Sequence, residues 1–325
     1  MRSRIISTGS YLPERILTNK DLEQIVNTSD QWIIERTGIS ERHIASESET
    51  ASDMAAQAAR RAIERAGIGV DSIDLIIMAT ITGDMPVPAA ACFLQRNIGA
   101  KNAAAFDINA ACSGFLYALS VANAYLLTGL YKRILVVGSE VLTKFTDWQD
   151  RNTCVLFGDG AGAVILEPGH GQNGILCVDI YSDGTMAELL HMPGGGSKHP
   201  PTEDTISNRM HYIKMKGNET FKVAVRTLEK LVVDALAKND LKPSDLSLLI
   251  PHQANMRIIS ATADRLGIGL DKVMINLHRC GNTSAASVPI ALDEAVVSGR
   301  VKTDDLIMLE AFGGGLTWAS ALIRW

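Results

Sequence analysis

The residues of this sequence whose types best suit chemistry are Cys112, His252 and Asn282. Cys112 lies in the run FDINAACSGF (106–115), between a strand-like segment and a long apolar stretch. A thiol at the start of a helix lies near unpaired N–H groups and the positive end of the helix dipole, which stabilise the thiolate and lower its pKa. The small residues around it leave room for a carbonyl group to approach. We therefore predict that Cys112 is a nucleophile, although most cysteines are simply small buried residues.

His252 and Asn282 are predicted to act as hydrogen-bond donors. His252 follows the apolar run 248–250 in PHQAN, and Asn282 precedes an apolar helical pattern in CGNTSAAS. Neutral histidine and asparagine can both donate to an oxyanion, and asparagine cannot act as a general base. The three residues therefore suit the stabilisation of an enolate or tetrahedral oxyanion better than amide hydrolysis. His278, near Cys280, is the competing histidine, and the other histidines are expected to be structural.

Two glycine-rich runs could bring backbone N–H groups close to a substrate. AFGGGL (311–316) follows a strand-like segment, and its glycines would let N–H groups approach a reacting carbonyl, although a tight turn explains them equally well. GDGAGA (158–163) formally fits a dinucleotide-binding pattern. It leads into the strand-like AVILEP, whereas a dinucleotide fingerprint must open a helix. We therefore predict no dinucleotide site.

The elements that must position these residues occur twice in the chain. SIDLIIMATITG, the segment around Cys112 and YKRILVVGSE in the first half correspond to PSDLSLLIPHQAN, the segment around Asn282 and TDDLIMLEAFGGG in the second. Both sets predict strands, a small-residue turn and an apolar helix. Alignment of the Thr-Gly and Ser-Gly pairs that end the two helices gives an offset of 170 residues, which pairs Cys112 with Asn282. We predict two similar α/β halves, 1–170 and 171–325, with the site at the carboxyl ends of strands.

Composition narrows the class of protein. The chain has 325 residues, 46% of them hydrophobic, and a formal net charge of −5. These values are typical of a soluble α/β enzyme and argue against a nucleic-acid-binding protein. Its five cysteines form no CxxC pair, which argues against disulfides and zinc and indicates a reducing compartment. The N-terminus has too short an apolar run for a signal peptide, and the uncharged stretch between Asp107 and Lys132 contains polar residues, so we expect a cytoplasmic protein without a membrane span.

The motifs together resemble one family. NAACSGF, HQAN, GNTSAAS and FGGG, with ERTGI at 35–39 and FGDGAGA, occur in the order expected for β-ketoacyl-acyl carrier protein synthase III, the condensing enzyme that initiates type II fatty acid synthesis. The resemblance covers essentially the whole chain. It implies the α/β thiolase-like fold, a duplicated five-layer αβαβα arrangement with pseudo-twofold symmetry, and a homodimer without a cofactor. Elongating ketoacyl synthases use Cys-His-His, and thiolases use two cysteines with a histidine. Chalcone and hydroxymethylglutaryl-CoA synthases share Cys, His and Asn but are longer and have other flanking motifs.

The resemblance implies a two-step acyl transfer. Cys112 attacks an acyl-CoA, expected to be acetyl-CoA, and keeps the acyl group. Malonyl-acyl carrier protein then loses CO₂, and His252 and Asn282 stabilise the resulting enolate. The enolate carbon attacks the acyl group on Cys112 and gives 3-oxoacyl-acyl carrier protein. The backbone N–H groups of Cys112 and of the glycine loop 313–315 are the expected oxyanion hole.

The resemblance also places the substrate contacts. In the family an aromatic residue and an arginine enclose the adenine of CoA, and Trp32 and Arg151 match those positions. A residue from the partner subunit closes the acyl pocket. Alignment through MPVPAAAC places Val87 there, and this small side chain leaves room for a primer longer than acetyl. The expected oxyanion and acyl-pocket residues are Gly313, Gly314, Gly315, Phe312 and Val87. The expected CoA-binding residues are Trp32, Arg36, Thr37, Arg151, Thr28 and Asn255.

A basic face is expected to bind the carrier protein. Residues 209–265 contain ten lysines and arginines against six acidic residues, in a chain that is acidic overall. Such a stripe is more often a solvated helix face, but acyl carrier proteins are acidic and complementary charge accelerates docking. The docking patch of the family matches Lys222 and Arg257. The full set of expected docking residues is Lys222, Arg226, Arg257 and Arg265.

Three other functions stay open on the sequence. An enzyme of the same fold could use a longer primer or another acceptor, as a 3-oxoacyl synthase of a secondary pathway or an ester-forming transferase, and dependence on a carrier protein would separate these cases. A non-catalytic acyl-binding subunit would commonly have lost the nucleophile that is present here. A cysteine hydrolase would need an acid or a second base at the position of Asn282.

Overall fold

The computed structural model describes residues 2–169 and 171–325. His170, expected to be no more than a structural histidine, lies outside those ranges. The strands are β1 (Arg2–Tyr11), β2 (Arg15–Thr18), β3 (Glu41–Ile44), β4 (Leu75–Ala79), β5 (Ala104–Ile108), β6 (Ile134–Glu140), β7 (Gly160–Gly169), β8 (Gly174–Ser182), β9 (Leu190–His191), β10 (Lys214–Met215), β11 (Leu248–Pro251), β12 (Leu306–Gly313) and β13 (Thr317–Arg324). The helices are α1 (Asn19–Leu22), α2 (Asp30–Thr37), α3 (Ala51–Ala66), α4 (Ala90–Ile98), α5 (Gly114–Leu127), α6 (Arg151–Cys154), α7 (Glu203–Ser207), α8 (Gly217–Ala237), α9 (Met256–Leu266), α10 (Leu277–Cys280) and α11 (Ser287–Val297).

Two sheets carry the architecture. The first has the order β1-β7-β6-β4-β5, in which β4 runs parallel to β5 and β6, and β7 is antiparallel to both of its neighbours, β6 and β1. The second has the order β11-β12-β13-β8, in which only β11 and β12 are parallel. Every residue of β4 and β6 is buried, as expected for parallel strands covered by helices on both faces. The remaining strands form the two-stranded pairs β2-β3 and β9-β10.

The sheets and helices stack in five layers. Helices α5 and α11 lie between the sheets and share one apolar core with the inner faces of both. Helices α3 and α4 cover the outer face of the first sheet, and α8 and α9 cover the outer face of the second. Helix α5 buries residues on most of its circumference, since a helix held between two sheets has no solvent face. The predicted αβαβα arrangement of the thiolase-like fold is therefore confirmed.

The two central helices start in the same way. Each follows a one-turn 3-10 helix, Ala111–Ser113 before α5 and Ser284–Ala286 before α11. Each turn opens on a residue with a left-handed backbone, with φ of 47° at Ala111 and 48° at Ser284. These features are 173 residues apart, so the predicted offset of 170 is wrong. Helix α5 has 14 residues and α11 has 11, and aligning their ends introduced the three-residue error.

Two other segments considered in the sequence, GDGAGA and the long apolar stretch, form a strand and a helix. GDGAGA leads into β7, which leaves no helix for a dinucleotide pyrophosphate. The long apolar stretch forms the buried helix α5. Within the described ranges no helix is long and apolar enough to cross a membrane, and no group of metal-binding side chains is assembled.

Candidate active site

Cys112, His252 and Asn282, distant in sequence, line one cavity of about 430 Å³. Cys112 lies in the turn between β5 and α5, and His252 directly follows β11. Asn282 precedes the turn that opens α11. The carboxyl ends of parallel strands meet the starts of the two central helices at this point, which is where open α/β sheets place their sites. The structure therefore brings the three predicted residues together.

The Cys112 thiol is enclosed between its own turn and the glycine turn after β12. A Cβ atom added to Gly313 would lie 2.6 Å from the backbone nitrogen of Cys112. Burial raises the pKa of the Cys112 thiol to about 11, although the nearby Ser284 hydroxyl acts in the opposite direction. The prediction of a lowered pKa is therefore wrong, because desolvation of the enclosed sulfur outweighs the stabilisation of its anion. The thiol is protonated at neutral pH and must lose its proton to react.

His252 is a neutral hydrogen-bond donor in this cavity. Its backbone N–H donates to the carbonyl of Glu310 at 2.8 Å, which fixes the chain where β11 ends. Burial lowers the pKa of His252 to about 4, so the imidazole carries no charge at neutral pH and one ring nitrogen bears a proton. Its Nδ1 has no partner among the described residues. The competing His278 is exposed on α10 and does not line the cavity.

The carboxamide of Asn282 is held in one orientation. Its Oδ1 accepts a hydrogen bond of 2.9 Å from the backbone N–H of Ser284. Its own backbone N–H donates to the carbonyl of Leu156 at 2.9 Å, and its carbonyl accepts from Gly158 at 3.0 Å. Because Oδ1 is occupied, Nδ2 is left as the free donor of a side chain that lines the cavity. This is the arrangement that an anionic oxygen requires.

The glycine turn between β12 and β13 presses against the nucleophile. Phe312 and Gly313 line the first cavity, and Gly314 and Gly315 line a second. A Cβ atom on Gly314 would lie 2.8 Å from the carbonyl of Leu190, and Gly315 has a φ of +135°, which side chains rarely tolerate. AFGGGL is therefore a strand-to-strand turn that forms the wall beside Cys112, and the approach of its N–H groups to a reacting carbonyl stays a prediction.

A second cavity of about 360 Å³ lies on the other side of Cys112. It shares only Cys112 and Leu190 with the first cavity. Much of its wall is apolar, from the side chains of Ile81, Leu142, Phe157, Met192 and Ile213. An acyl group on the sulfur could therefore extend into an apolar space.

Val87 lines neither cavity and is 81% exposed. It lies in the segment before α4, whose first N–H groups, from Ala90 and Ala91, donate to the carboxylate of Asp107 at 2.7 Å each. The start of α4 is thus fixed, and the side chain that was predicted to limit the acyl pocket is exposed and does not line a cavity of the same chain.

Trp32 marks the mouth of the first cavity. The Arg151 guanidinium lies 4.6 Å from the centre of its ring and the Arg36 guanidinium 5.9 Å away. Arg151 also donates to the carbonyl of Asn27 at 3.2 Å. The two side chains that were predicted to enclose the adenine instead stack on each other, at a separation typical of cation–π pairs, so a base enters between them only if one of the two side chains moves.

The other expected CoA-binding residues differ in their suitability. Asn255 lines the cavity, and its Nδ2 donates to the carbonyl of Arg36 at 3.0 Å. The hydroxyl of Thr37 donates to the carbonyl of Ile33 within α2, so its proton is used in a hydrogen bond inside the helix. Thr28 does not line the cavity, and its buried hydroxyl has no partner among the described residues.

The basic face lies on α8 and α9 beside the cavity. Lys222, Arg226 and Arg257 are exposed and form no ion pair with any described residue. The Arg257 guanidinium lies 5.1 Å from the ring centre of Phe221, and both residues line the cavity. Arg265 instead binds Glu229 at 2.6 Å. Of the four predicted docking residues, Arg265 is the one whose charge is already paired.

Two features were not singled out from the sequence. Glu140, at the end of β6, is a buried carboxyl near Cys112, and the one signal of it is a glutamate that ends the otherwise uncharged run ILVVGSE. The second is the segment 184–216, which contributes Leu190 and Met215 to the cavity wall. It is tied to the rest of the chain by Asp147, which binds Arg209 and Lys214. No local pattern in the sequence indicates that this segment covers the site.

Comparisons with known proteins agree with this geometry. Residues 106–184 match the sequence model of 3-oxoacyl-[acyl-carrier-protein (ACP)] synthase III, and residues 236–325 match the model of its C-terminal part. The β-ketoacyl-[acyl-carrier-protein] synthase III of Desulfitobacterium hafniense strain DSM 10664 / DCB-2 is 51% identical over 321 residues, which cover 99% of this chain and 97% of the relative.

Solved structures give the same result. The crystal structure of 3-oxoacyl-[acyl-carrier-protein] synthase III from Aquifex aeolicus VF5 is 50% identical, with a TM-score of 0.93 and coverage of 99% of this chain and 100% of that chain. The priming β-ketosynthase from the R1128 polyketide biosynthetic pathway is 36% identical, with a TM-score of 0.92 and coverage of 99% and 96%. The identity over the full length, together with Cys112, His252 and Asn282 around one cavity, shows that this chain belongs to the 3-oxoacyl-[acyl-carrier-protein] synthase III family.

Proposed function

We propose that this protein is a 3-oxoacyl-acyl carrier protein synthase III. It condenses an acyl-CoA primer, expected to be acetyl-CoA, with malonyl-acyl carrier protein to start fatty acid biosynthesis. The observation that carries the proposal is that one cavity holds a cysteine and two oriented neutral donors. This set suits a reaction that passes through an acyl-cysteine and an enolate. The family assignment adds that such condensing enzymes are acyltransferases.

In the first half-reaction Cys112 takes the acyl group. Its sulfur attacks the thioester carbonyl, CoA leaves, and the acyl chain lies in the second cavity. The backbone N–H groups of Cys112 and of the glycine turn form the oxyanion hole for this step. Phe312 and the surrounding wall shield the acyl-cysteine from water. No cofactor is needed, because the thioester itself supplies the activated carbonyl.

In the second half-reaction malonyl-acyl carrier protein loses CO₂. Negative charge develops on the thioester oxygen of the enolate, where Asn282 Nδ2 and one N–H of neutral His252 donate. A neutral histidine keeps its proton, so the enolate is stabilised without being quenched. The enolate carbon then attacks the acyl-cysteine, and the 3-oxoacyl product forms on the carrier protein.

Three further assignments belong to this proposal. Trp32, Arg36, Arg151 and Asn255 bind CoA, with smaller roles for Thr37 and Thr28. The basic residues on α8 and α9 dock the acidic carrier protein. The chain acts as a cytoplasmic homodimer whose subunits divide into halves 1–170 and 171–325, and it binds neither nucleic acid nor membrane. The support for the halves is that the two central helices open on matching turns.

Product formation from the two proposed substrates tests the assignment. Acetyl-CoA and malonyl-acyl carrier protein are mixed with the enzyme, and the carrier protein is analysed by mass for a 3-oxoacyl group. The wild type and His278→Ala should both form product, since His278 is exposed and outside the cavity, whereas His252→Ala should fail. An acetylated enzyme that passes its acyl group to an acceptor other than malonyl-carrier protein would instead favour the secondary-pathway function.

A further inference from the structure

A carboxyl group is buried beneath the nucleophile. Glu140 is the last residue of β6. Because side chains alternate between the two faces of a strand, Glu140 lies on the same face as Ile134 and Val136, which pack toward the central helices. The next inward residue before it, Gly138, is so close to the turn that opens α11 that an added Cβ would lie 2.2 Å from the carbonyl of Ala285. Glu140 therefore faces the neighbouring residue of that turn, Ser284.

One oxygen of this carboxyl is fully bound and the other is not. Oε2 accepts from the Thr82 hydroxyl at 2.6 Å, from the Ile81 backbone N–H at 3.1 Å and from the Thr80 hydroxyl at 3.2 Å. Oε1 has no partner among the described residues. Burial raises the pKa of Glu140 to about 7, so this group changes its charge near neutral pH. The group is thus held firmly by one oxygen while the other can take a proton.

Ser284 lies between this carboxyl and the nucleophile. Ser284 and Cys112 line the same second cavity, and the Ser284 hydroxyl lowers the pKa of both Cys112 and Glu140. It makes no hydrogen bond of good geometry in this conformation. The matching turn before α5 carries Ala111 at a φ of 47°, against 48° at Ser284. The turn therefore does not need a hydroxyl, which leaves the hydroxyl of Ser284 available for another role.

The proton of the Cys112 thiol needs an acceptor, and neither Asn282 nor His252 provides one. Asn282 cannot take up a proton, and burial lowers the pKa of His252 to about 4, which keeps it a donor. Among the causes that act on Cys112, Glu140 is the one charged group, and its charge raises the pKa of the thiol. The other groups that face Glu140 are the hydroxyls of Thr80, Thr82 and Ser284, which do not titrate here. Two like charges this close are costly, so the pair favours one charge over two.

Resting on the proposed function, we propose that Cys112 and Glu140 share a single negative charge through the hydroxyl of Ser284. As the sulfur attacks the acyl thioester, the thiol proton moves to Ser284 Oγ while the Ser284 proton moves to Glu140 Oε1. The S–C bond forms, and the CoA thiolate leaves and takes a proton from solvent. When the enolate carbon later attacks, that S–C bond breaks and the sulfur recovers its proton from Glu140 by the same route.

The pH dependence of Cys112 acylation tests this assignment without a carrier protein. Acetyl-CoA is mixed with the enzyme, and the acetyl adduct is followed over time by intact-protein mass. In the wild type the rate should rise with pH and level off above about 7, because Glu140 is then charged and can accept the proton of the Cys112 thiol. In Glu140→Gln the rate should keep rising, about tenfold per pH unit, as for an isolated thiol of high pKa.

Two further variants separate a relay from a structural effect. Ser284→Ala should lower the rate at the plateau by at least about tenfold, since the route for the proton is lost, and should also move the levelling to higher pH, since Glu140 loses a donor. Thr82→Val removes a donor to Glu140 and should move the levelling to higher pH. Asp159→Asn is the control, because Asp159 is a buried carboxyl whose pKa burial raises to about 6 but which binds Ala45 and Thr143 instead.

Levelling at the wild-type pH in Glu140→Gln, or a wild-type rate in Ser284→Ala, would overturn the proposal. If no acyl-CoA modifies Cys112, the proposed function fails, and the shared charge is then tested with iodoacetamide. Alkylation of Cys112 in the wild type should still level off near neutral pH and in Glu140→Gln should not. The two failures are therefore distinguishable.

Discussion

At the scale of single residues, the site separates the group that reacts from the groups that stabilise charge. Cys112 is the proposed nucleophile, and burial keeps its thiol protonated at neutral pH. His252 and Asn282 differ from Cys112 because each donates a hydrogen bond without transferring its proton. Burial therefore has opposite effects on the two roles, since it disfavours the reactive thiolate of Cys112 and favours the neutral form of His252.

Asn282→Asp isolates the enolate step. The substitution keeps the side-chain shape and the oxygen that accepts from Ser284, but it replaces the Nδ2 donor with a second oxygen. Decarboxylation of malonyl-carrier protein should fall by about 10²- to 10³-fold, the usual loss for one oxyanion donor, while acetylation of Cys112 should fall far less. Quenched-flow mass spectrometry measures both rates.

Asn239→Asp is the matched control, because Asn239 lies outside both cavities. It should leave both rates unchanged. Equal losses in acetylation and decarboxylation in Asn282→Asp would contradict the division of roles, since they would place Asn282 in service of the nucleophile as well.

Cys112, His252 and Asn282 could be identified from the sequence because each follows a recognisable strand or precedes a recognisable helix. The pKa of Cys112 could not be predicted from the sequence, because it depends on how completely the glycine turn, distant along the chain, encloses the sulfur. Glu140 was missed because its position near the site depends on the packing of β6 against the turn before α11, which no local pattern in the sequence indicates.

At the scale of elements, the sequence predicted the strands and the apolar helix well and the repeat less well. Alternating and apolar runs determine β4, β6 and α5 almost by themselves. The offset between the halves was wrong because it used helix ends, which differ in length, whereas helix starts are fixed by matching turns. The segment 184–216 has little regular structure, so its position over the cavity depends on tertiary contacts.

Asp147 is predicted to hold that segment in place. Hydrogen bonding from Arg209 and Lys214 holds the pKa of Asp147 well below its usual range. Its charge therefore stabilises the folded chain fully above its unfolded pKa, and the stabilisation is lost as pH falls. Asp147→Asn should lower Tm at neutral pH, and the difference from the wild type should shrink below about pH 4.

The same variant should raise KM for acetyl-CoA, because Leu190 and Met215 would no longer be held at the cavity wall. Glu203→Gln, on the exposed start of α7 in the same segment, is the control and should change neither quantity. A Tm difference that stays constant down to the acid limit would show that Asp147 acts through packing and not through its charge.

At the scale of the whole molecule, the face of α8 and α9 is predicted to dock the carrier protein. Lys222 and Arg226 give a cleaner test than Arg257, which also lines the cavity. Lys222→Glu with Arg226→Glu should raise KM for malonyl-carrier protein by about tenfold and leave acetylation by acetyl-CoA unchanged, with a smaller effect at high salt.

Lys230→Glu is the control for this surface. Lys230 lies on the same helix but is paired with Asp234 at 2.7 Å, so its charge contributes less to the field outside the protein. If this reversal raised KM as much as the double variant does, net charge would explain the effect and a local docking patch would not.

In the proposed homodimer, Val87 of one subunit helps to close the acyl pocket of the other. Val87→Phe should restrict the panel of accepted primers toward acetyl-CoA, because a larger side chain from the partner would fill the second cavity. Met85→Phe, on the same segment and 48% exposed, is the control. Competition between acyl-CoAs of increasing length, with sedimentation to determine the oligomeric state, measures the effect. An unchanged preference in a dimeric variant would contradict this role of Val87.

The intact mass of the protein after exposure to acyl-CoAs, with Cys112→Ala as control, tests most directly whether Cys112 carries the acyl group. We predict one acyl adduct in the wild type and none in the variant. Addition of malonyl-acyl carrier protein should then remove the adduct as 3-oxoacyl-carrier protein appears. An adduct that also forms in Cys112→Ala, or no adduct with any acyl-CoA, would contradict the assignment of Cys112 as the residue that carries the acyl group.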